Sequence, residues 1–220
     1  MSPSVFDQLA ERYDAWFDTS RGSASLSAEL ACLRTLMPRD TSGWIEVGVG
    51  SGRFTAALGI GEGVDPSSPM LQKAVARGIR MIVAEAESLP YASRSLQGIL
   101  LVVTLCFLSE PEVALRECAR VLKEDGELLV GIVPSDSSWG EYYRFKGSQG
   151  HPFYSVARFY TCDEAAEMAM SAGFQLLGAA STLPMGPDEP LEDIPVLDGV
   201  CPECGFVGML FGLHSPKPGP

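Results

Sequence analysis

Trp44-Ile45-Glu46-Val47-Gly48-Val49-Gly50-Ser51-Gly52-Arg53-Phe54 decides the fold. The stretch reads as a buried strand that stops in a glycine-rich turn and restarts as a helix. Gly48, Gly50 and Gly52 fall at every second position, and Glu46 lies two residues before the first of them. Glycine is needed where the backbone takes a positive φ, or where a ligand must approach without meeting a Cβ. A turn of this kind at the carboxyl end of a strand, opening a helix, is where open α/β sheets bind nucleotide-like cofactors. The glycine rhythm alone does not say which cofactor; its surroundings must.

Upstream, residues 5–17 place Phe6, Leu9, Tyr13, Trp16 and Phe17 at helical spacing. A second helix is expected over 25–37, stopped by Pro38. Downstream, a short strand over 61–64 ends at Asp65, and Pro66, Ser67 and Ser68 open a helix that reaches 77. A strand over 80–84 and a loop over 85–90 lead to the apolar run 98–105, which suits a central parallel strand covered on both faces. A helix over 112–122, a turn at Gly126 and a buried strand over 127–133 follow. This alternation is the mark of a parallel sheet with right-handed crossovers.

The last third breaks the alternation. Residues 135–160 are polar and rich in aromatics and glycine, and read as a lid or irregular insertion. Thr161-Cys162-Asp163-Glu164 is a capping-box pattern opening a helix to 172, with Gly173 as its stop. Strands over 174–183 and 206–214 have no helix between them, only a linker with five prolines and no Lys or Arg. Such a pair is most simply antiparallel. The chain is therefore read as one domain, 1–220: cap helices 1–40, a cofactor-binding core 41–134, the insertion 135–160, and a helix plus hairpin 161–214.

With 220 residues, 46% of them hydrophobic, the chain can fill a substantial core. Its formal net charge of −12 and absence of a Lys/Arg cluster argue against a nucleic-acid partner. The start lacks the basic and apolar regions of a signal peptide, and no run is long enough to span a bilayer. A cytoplasmic protein with no membrane association is expected. Of six cysteines, only Cys201 and Cys204 have ligand-like spacing, and no second pair completes a zinc set. No metal is expected.

Three acids follow the first three strands: Glu46, Asp65 and Glu85. A carboxylate after the second strand is placed to accept hydrogen bonds from both hydroxyls of a ribose. Strand-end acids also cap helices, but the neighbouring glycine turn favours the ligand. A dinucleotide turn would carry glycine three residues after Gly50, where this chain has Arg53. An acid leading into the turn suits an ammonium group better than a phosphate.

On these residues the chain resembles the class I S-adenosylmethionine-dependent methyltransferases, especially the small-molecule type 11 group. Glu46-Val47-Gly48-Val49-Gly50-Ser51-Gly52 is similar to that family's first motif, which implies contact with the methionine part of S-adenosylmethionine. Asp65 corresponds to the ribose acid, and Pro66, Ser67 and Met70 would neighbour the adenine. Ala84-Glu85-Ala86-Glu87-Ser88-Leu89-Pro90-Tyr91 resembles the stretch whose acid and following N–H, here Glu85 and Ala86, meet the adenine. Thr104 and Leu105 follow the fourth strand, where the family lines the sulfonium end, and Tyr13 belongs to a helix that folds over the cofactor. Arg116-Glu117-Cys118-Ala119-Arg120-Val121-Leu122-Lys123-Glu124-Asp125-Gly126 resembles a further family segment, whereas Leu96-Gln97 replaces the usual Phe-Asp. The resemblance implies a Rossmann-like, seven-stranded, mostly parallel sheet with an antiparallel C-terminal hairpin and helices on both faces.

The implied activity is methyl transfer to a small-molecule acceptor, with a non-catalytic S-adenosylmethionine-binding protein as the alternative. Acceptor-handling candidates are Tyr13, Trp16, Tyr142, Tyr143, His151, Tyr154 and Arg158, of which His151 and Tyr13 are the candidates for catalysis. Aromatics at helical spacing serve equally well as core. The acceptor atom and the oligomeric state are left open.

Overall fold

A computed structural model describes residues 4–214; the outermost residues of the expected 1–220 domain, 1–3 and 215–220, lie outside the described residues. One sheet of eight strands runs through the molecule: β1 (Trp44–Val47), β2 (Glu62–Asp65), β3 (Arg80–Val83), β4 (Leu96–Val102), β5 (Leu122–Ile132), β6 (Phe174–Thr182), β7 (Val196–Asp198) and β8 (Phe206–Leu213). Their spatial order is β3-β2-β1-β4-β5-β8-β6-β7. The first five are mutually parallel, and β8 runs antiparallel between β5 and β6.

The helices are α1 (Val5–Trp16), α2 (Ser20–Leu36), α3 (Arg53–Ala57), α4 (Ser68–Ala76), α5 (Pro111–Val121), α6 (Ser138–Ser148) and α7 (Cys162–Ser171). Successive strand residues point to opposite faces, and the two cores show it. Ile99, Leu101, Leu128 and Val130 pack with Leu115 and Cys118 of α5 and Ala165 and Ala169 of α7. Leu100, Val102 and Leu129 pack on the other face with Leu30 and Leu33 of α2. Both faces of β4 are dry, which explains its near-continuous apolar run.

Three expectations are corrected. The sheet has eight strands, not seven: β7, in the proline-rich linker, pairs with the outer side of β6. An edge strand tolerates the neighbouring Pro195, and the Oγ1 of Thr182 donates to the Pro195 carbonyl at 2.8 Å. The insertion is not irregular, since α6 fills much of it, capped by Ser137, whose Oγ accepts from the Gly140 N–H at 3.0 Å. The expected turn at Gly126 forms inside β5, which begins at Leu122: Gly126 folds back against Lys123, so the stretch from Leu122 to Glu127 opposes only Leu96 to Gly98 of β4. α2 also starts earlier than expected, because Thr19 caps it through the Gly22 N–H. The capping boxes at Ser4 with Asp7 and at Thr161 with Glu164 are both formed.

Candidate functional site

Two cavities open at the carboxyl ends of β1, β2 and β4, where a parallel sheet exposes its loops. The larger, about 690 Å³, is lined by Gly48, Gly50, Asp65, Ser67, Glu85 and Thr104, among others. The smaller, about 440 Å³, lies beneath α1 and α6 and is walled largely by aromatic rings. Tyr13, Val103 and Phe107 belong to both, so the chambers adjoin.

The glycine turn shapes the larger chamber. Gly48, Gly50 and Gly52 have φ of 74°, 53° and 80°. A Cβ on Gly48 would overlap the Thr104 side chain, so glycine there serves both conformation and space. The turn is tied to β2 by Asp65: its Oδ2 accepts from the Gly50 N–H at 2.9 Å and its Oδ1 from the Ser67 N–H at 2.8 Å. Burial pushes the Asp65 carboxyl up, against the pull of those two bonds. Each oxygen still has acceptor capacity.

The loop after β3 is braced from α5. The Oε2 of Glu117 accepts from the Leu89 N–H at 2.9 Å, while Arg120 donates to the carbonyls of Leu89 and Tyr91 at 3.0 and 2.9 Å. This clamp holds the segment carrying Glu85 and Ala86, both of which line the larger chamber. It gives the Arg116–Gly126 segment a structural role.

Among the sequence candidates, Tyr13, Gly48, Gly50, Asp65, Pro66, Ser67, Met70, Glu85, Ala86 and Thr104 line the larger chamber. Glu46, Gly52 and Leu105 do not. Glu46 is buried behind the turn, where the Oγ1 of Thr55 donates to its Oε2, and burial pushes its carboxyl up to about 8. Gly52 packs on Ala74, and Leu105 sits in the core beside α5.

The smaller chamber gathers Tyr13, Trp16, Tyr143, His151 and Tyr154. His151 stacks on Tyr154 at 4.3 Å between centroids, and its Nδ1 is buried without a partner among the described residues. Burial and the nearby Arg12 and Lys146 cations hold its pKa below the ordinary histidine value. Tyr142 and Arg158 point elsewhere: Tyr142 takes the Lys146 ammonium over its ring at 4.3 Å, and Arg158 lies over Tyr160 at 5.2 Å. Sequence reasoning missed Glu29, Phe54, Phe153 and Phe159, which also line this chamber. The signal for Glu29 was present: it shares the buried face of α2 with Ser25, Cys32 and Leu33.

Cys201 and Cys204 stand with their sulfurs 3.0 Å apart in the turn before β8. Among the described residues no group of three or more His, Cys, Asp or Glu is placed to hold a metal ion. Among them, too, no helix is long and apolar enough to cross a membrane.

Comparison with known proteins settles the family. The methyltransferase-domain family model matches residues 45–130, which span the turn and β1 through most of β5. A solved S-adenosylmethionine-dependent methyltransferase of Thermotoga maritima, described as a possible histamine N-methyltransferase, is 35% identical and superposes with a TM-score of 0.88, covering 96% of this chain and 99% of its own. The chain belongs to the class I S-adenosylmethionine-dependent methyltransferases. An uncharacterised Methanocaldococcus jannaschii protein is 34% identical over 94% of this chain and 97% of its own length. A demethylmenaquinone methyltransferase of Thermotoga maritima is 26% identical over 78% of this chain and 87% of its own.

S-adenosylmethionine is the cofactor of this methyltransferase, and the larger chamber suits it. Asp65 keeps free lone pairs, the buried Oγ of Ser67 has no partner among the described residues, and the turn leaves Cβ-free backbone at Gly48 and Gly50. The terminal strands β6 and β8 form the expected antiparallel pair.

Proposed function

We propose that the methyltransferase moves a methyl group to a small-molecule acceptor held in the aromatic chamber, with the cofactor in the larger one. The observation that carries this reading is the shared wall: Tyr13, Val103 and Phe107 border both cavities, so a donor and an acceptor could meet there. Each chamber has the size of a small-ligand site. The relatives named for small acceptors, a possible histamine N-methyltransferase and a demethylmenaquinone methyltransferase, support the same reading.

When bound, S-adenosylmethionine supplies a methyl group already activated by a cationic sulfur. The protein's task is then mainly to position the acceptor and exclude water. We assign Asp65 to the ribose hydroxyls, Glu85 and the Ala86 N–H to the adenine edge, and Pro66, Ser67 and Met70 to the adenine face. Gly48, Gly50 and Thr104 flank the methionine end, and Tyr13 closes over it. Glu46, Gly52 and Leu105 shape that seat from behind. His151, held neutral, is assigned to receive a proton from the acceptor.

A single catalytic unit over the whole chain and a cytoplasmic setting are part of this proposal. One continuous sheet supports the first and six unbridged cysteines the second. Calorimetric titration with S-adenosylmethionine tests it, followed by mass detection of a methyl gain across amines, phenols, quinols and thiols. Binding with at least one methylated product is expected. The absence of binding at millimolar cofactor overturns it.

A further inference from the structure

We propose that the acceptor is an amine, recognised as a cation by the Glu29 carboxylate inside the aromatic chamber. The inference rests on the preceding assignment of that chamber to the acceptor. It concerns a residue outside every motif that marks the cofactor site.

Glu29 projects from α2 into the chamber and is only 8% exposed. Among the described residues it makes no hydrogen bond and no ion pair. A buried carboxyl without a partner is costly, and native proteins rarely keep one without a use. Around it stand Tyr13 and Trp16 of α1, Phe54 of α3, Tyr143 of α6, and Tyr154 and Phe159. Aromatic faces attract cations, most strongly where water is excluded. A lone acid among rings is complementary to an ammonium group attached to an apolar body.

The other titratable groups fit this picture. Tyr13, Tyr143 and Tyr154 are raised by burial and stay neutral, as does Cys32 on Glu29's own helix. The chamber's cations, Arg12 and Lys146, belong to an exposed and a half-buried residue, and neither pairs with Glu29. His151 is held neutral. The interior thus presents one carboxyl, with its pKa pushed up to about 8 by burial. At neutral pH it is mostly protonated when the chamber is empty, and an arriving cation pulls it back to the carboxylate.

The chemistry balances. The ammonium held by the Glu29 carboxylate gives one proton to neutral His151, which lines the same chamber, and this exposes the nitrogen lone pair. That pair forms the N–C bond to the methyl group as the C–S bond breaks, and the C–S electrons remain on sulfur. The positive charge passes from sulfur to the product nitrogen, where the rings and the acid stabilise it. A quinol or thiol would bring no cation to meet Glu29.

The test is a calorimetric titration of the protein loaded with S-adenosylhomocysteine. The probes are benzylamine, 2-phenylethylamine and tryptamine, each against its neutral alcohol counterpart, in two buffers of different ionisation heat. At least one amine is expected to bind tenfold or more tightly than its alcohol. It should release about one proton per amine bound at neutral pH, and the alcohol none. Glu29→Gln should abolish that preference and the proton release, while S-adenosylhomocysteine affinity stays within twofold and reports that the variant is folded. Equal binding of amines and alcohols, a preference that survives in Glu29→Gln, or failure of every amine overturns the proposal. Failure of S-adenosylhomocysteine itself to bind would instead overturn the functional assignment beneath it.

Discussion

Asp14 of α1 takes the Nε of Arg53 at 2.7 Å, joining the N-terminal helix to the residue that follows the glycine turn. The same carboxylate accepts Arg77 Nη2 at 3.0 Å through both oxygens, and Lys73 Nζ stands 3.9 Å away. Arg53 also binds Asp18 at 2.8 Å, and Arg77 donates to the Ser51 carbonyl at 2.8 Å. Asp14 is buried, and its arginine partners hold its carboxyl far below the ordinary range despite the desolvation that opposes them.

Asp14→Ala should therefore destabilise the protein by about 1–3 kcal/mol, since Arg53 and Arg77 lose their shared buried partner and keep only Asp18 and the Ser51 carbonyl. Chemical denaturation measures this. The variant should also bind S-adenosylmethionine more weakly, because α1 lines the cofactor chamber. Unchanged stability would mean that the latch is replaceable by water.

Acid should undo the same latch. A carboxyl with a depressed folded pKa contributes stability that is present above its unfolded value near 4 and lost as pH falls below it. Melting temperature should drop below about pH 4 in the wild type, and Asp14→Asn should flatten that dependence.

Glu29 and Glu46 act in the opposite sense. Their folded pKa values near 8 exceed the unfolded value, so the folded state keeps protons that the unfolded state releases. Stability should fall as pH rises between about 5 and 8, with a slope of up to about 1.4 kcal/mol per pH unit for each group. Denaturation at several pH values checks this, and Glu46→Gln should reduce the slope. A stability that climbs through this window would contradict the burial of both carboxyls.

Asp65→Ala should lower S-adenosylmethionine affinity by about 10–100-fold, the worth of one lost charged hydrogen bond. It also releases the Gly50 and Ser67 N–H groups that Asp65 holds. Calorimetry decides the point, and an affinity within twofold of wild type would remove Asp65 from the ribose.

Gly48→Ala should cost about 1–3 kcal/mol of stability, because alanine pays for a φ of 74° and collides with Thr104. Thermal unfolding of the single variant, and of Gly48→Ala with Thr104→Ser, checks this. The double variant should recover only the part due to the Thr104 Cγ2, since the hydroxyl and Cβ still crowd the new methyl group and the positive φ remains.

The parallel half of the fold was legible because its strands are short, apolar and punctuated by Gly48, Asp65 and Pro66. What escaped was structure whose local signal points elsewhere. In α6, Gly140 and Gly147 read as loop residues, yet a Cβ on Gly140 would strike the Pro134 carbonyl, so that glycine permits close packing rather than a turn. β7 has three residues and no room for an alternating pattern. The lining of the larger chamber was largely readable because backbone geometry demands glycine and acid at fixed spacing. The aromatic chamber was less so, because Glu29, Phe54 and Phe159 come from distant segments that only packing brings together.

The position of α1 has one further consequence. With its cap Ser4, it supplies Phe6, Asp7 and Tyr13 to the wall of the larger chamber, and Arg12, Tyr13 and Trp16 to that of the smaller. With cofactor and acceptor seated as proposed, a helix shared in this way is expected to make the two occupancies interdependent. Whichever ligand arrives first restrains the helix, and the second then loses less entropy in ordering it. By reciprocity, each ligand improves the affinity of the other by the same factor. On that proposal the N-terminal segment would register how many chambers are filled, and loosening it through Asp14→Ala should weaken the coupling between the two ligands, as paired titrations would read.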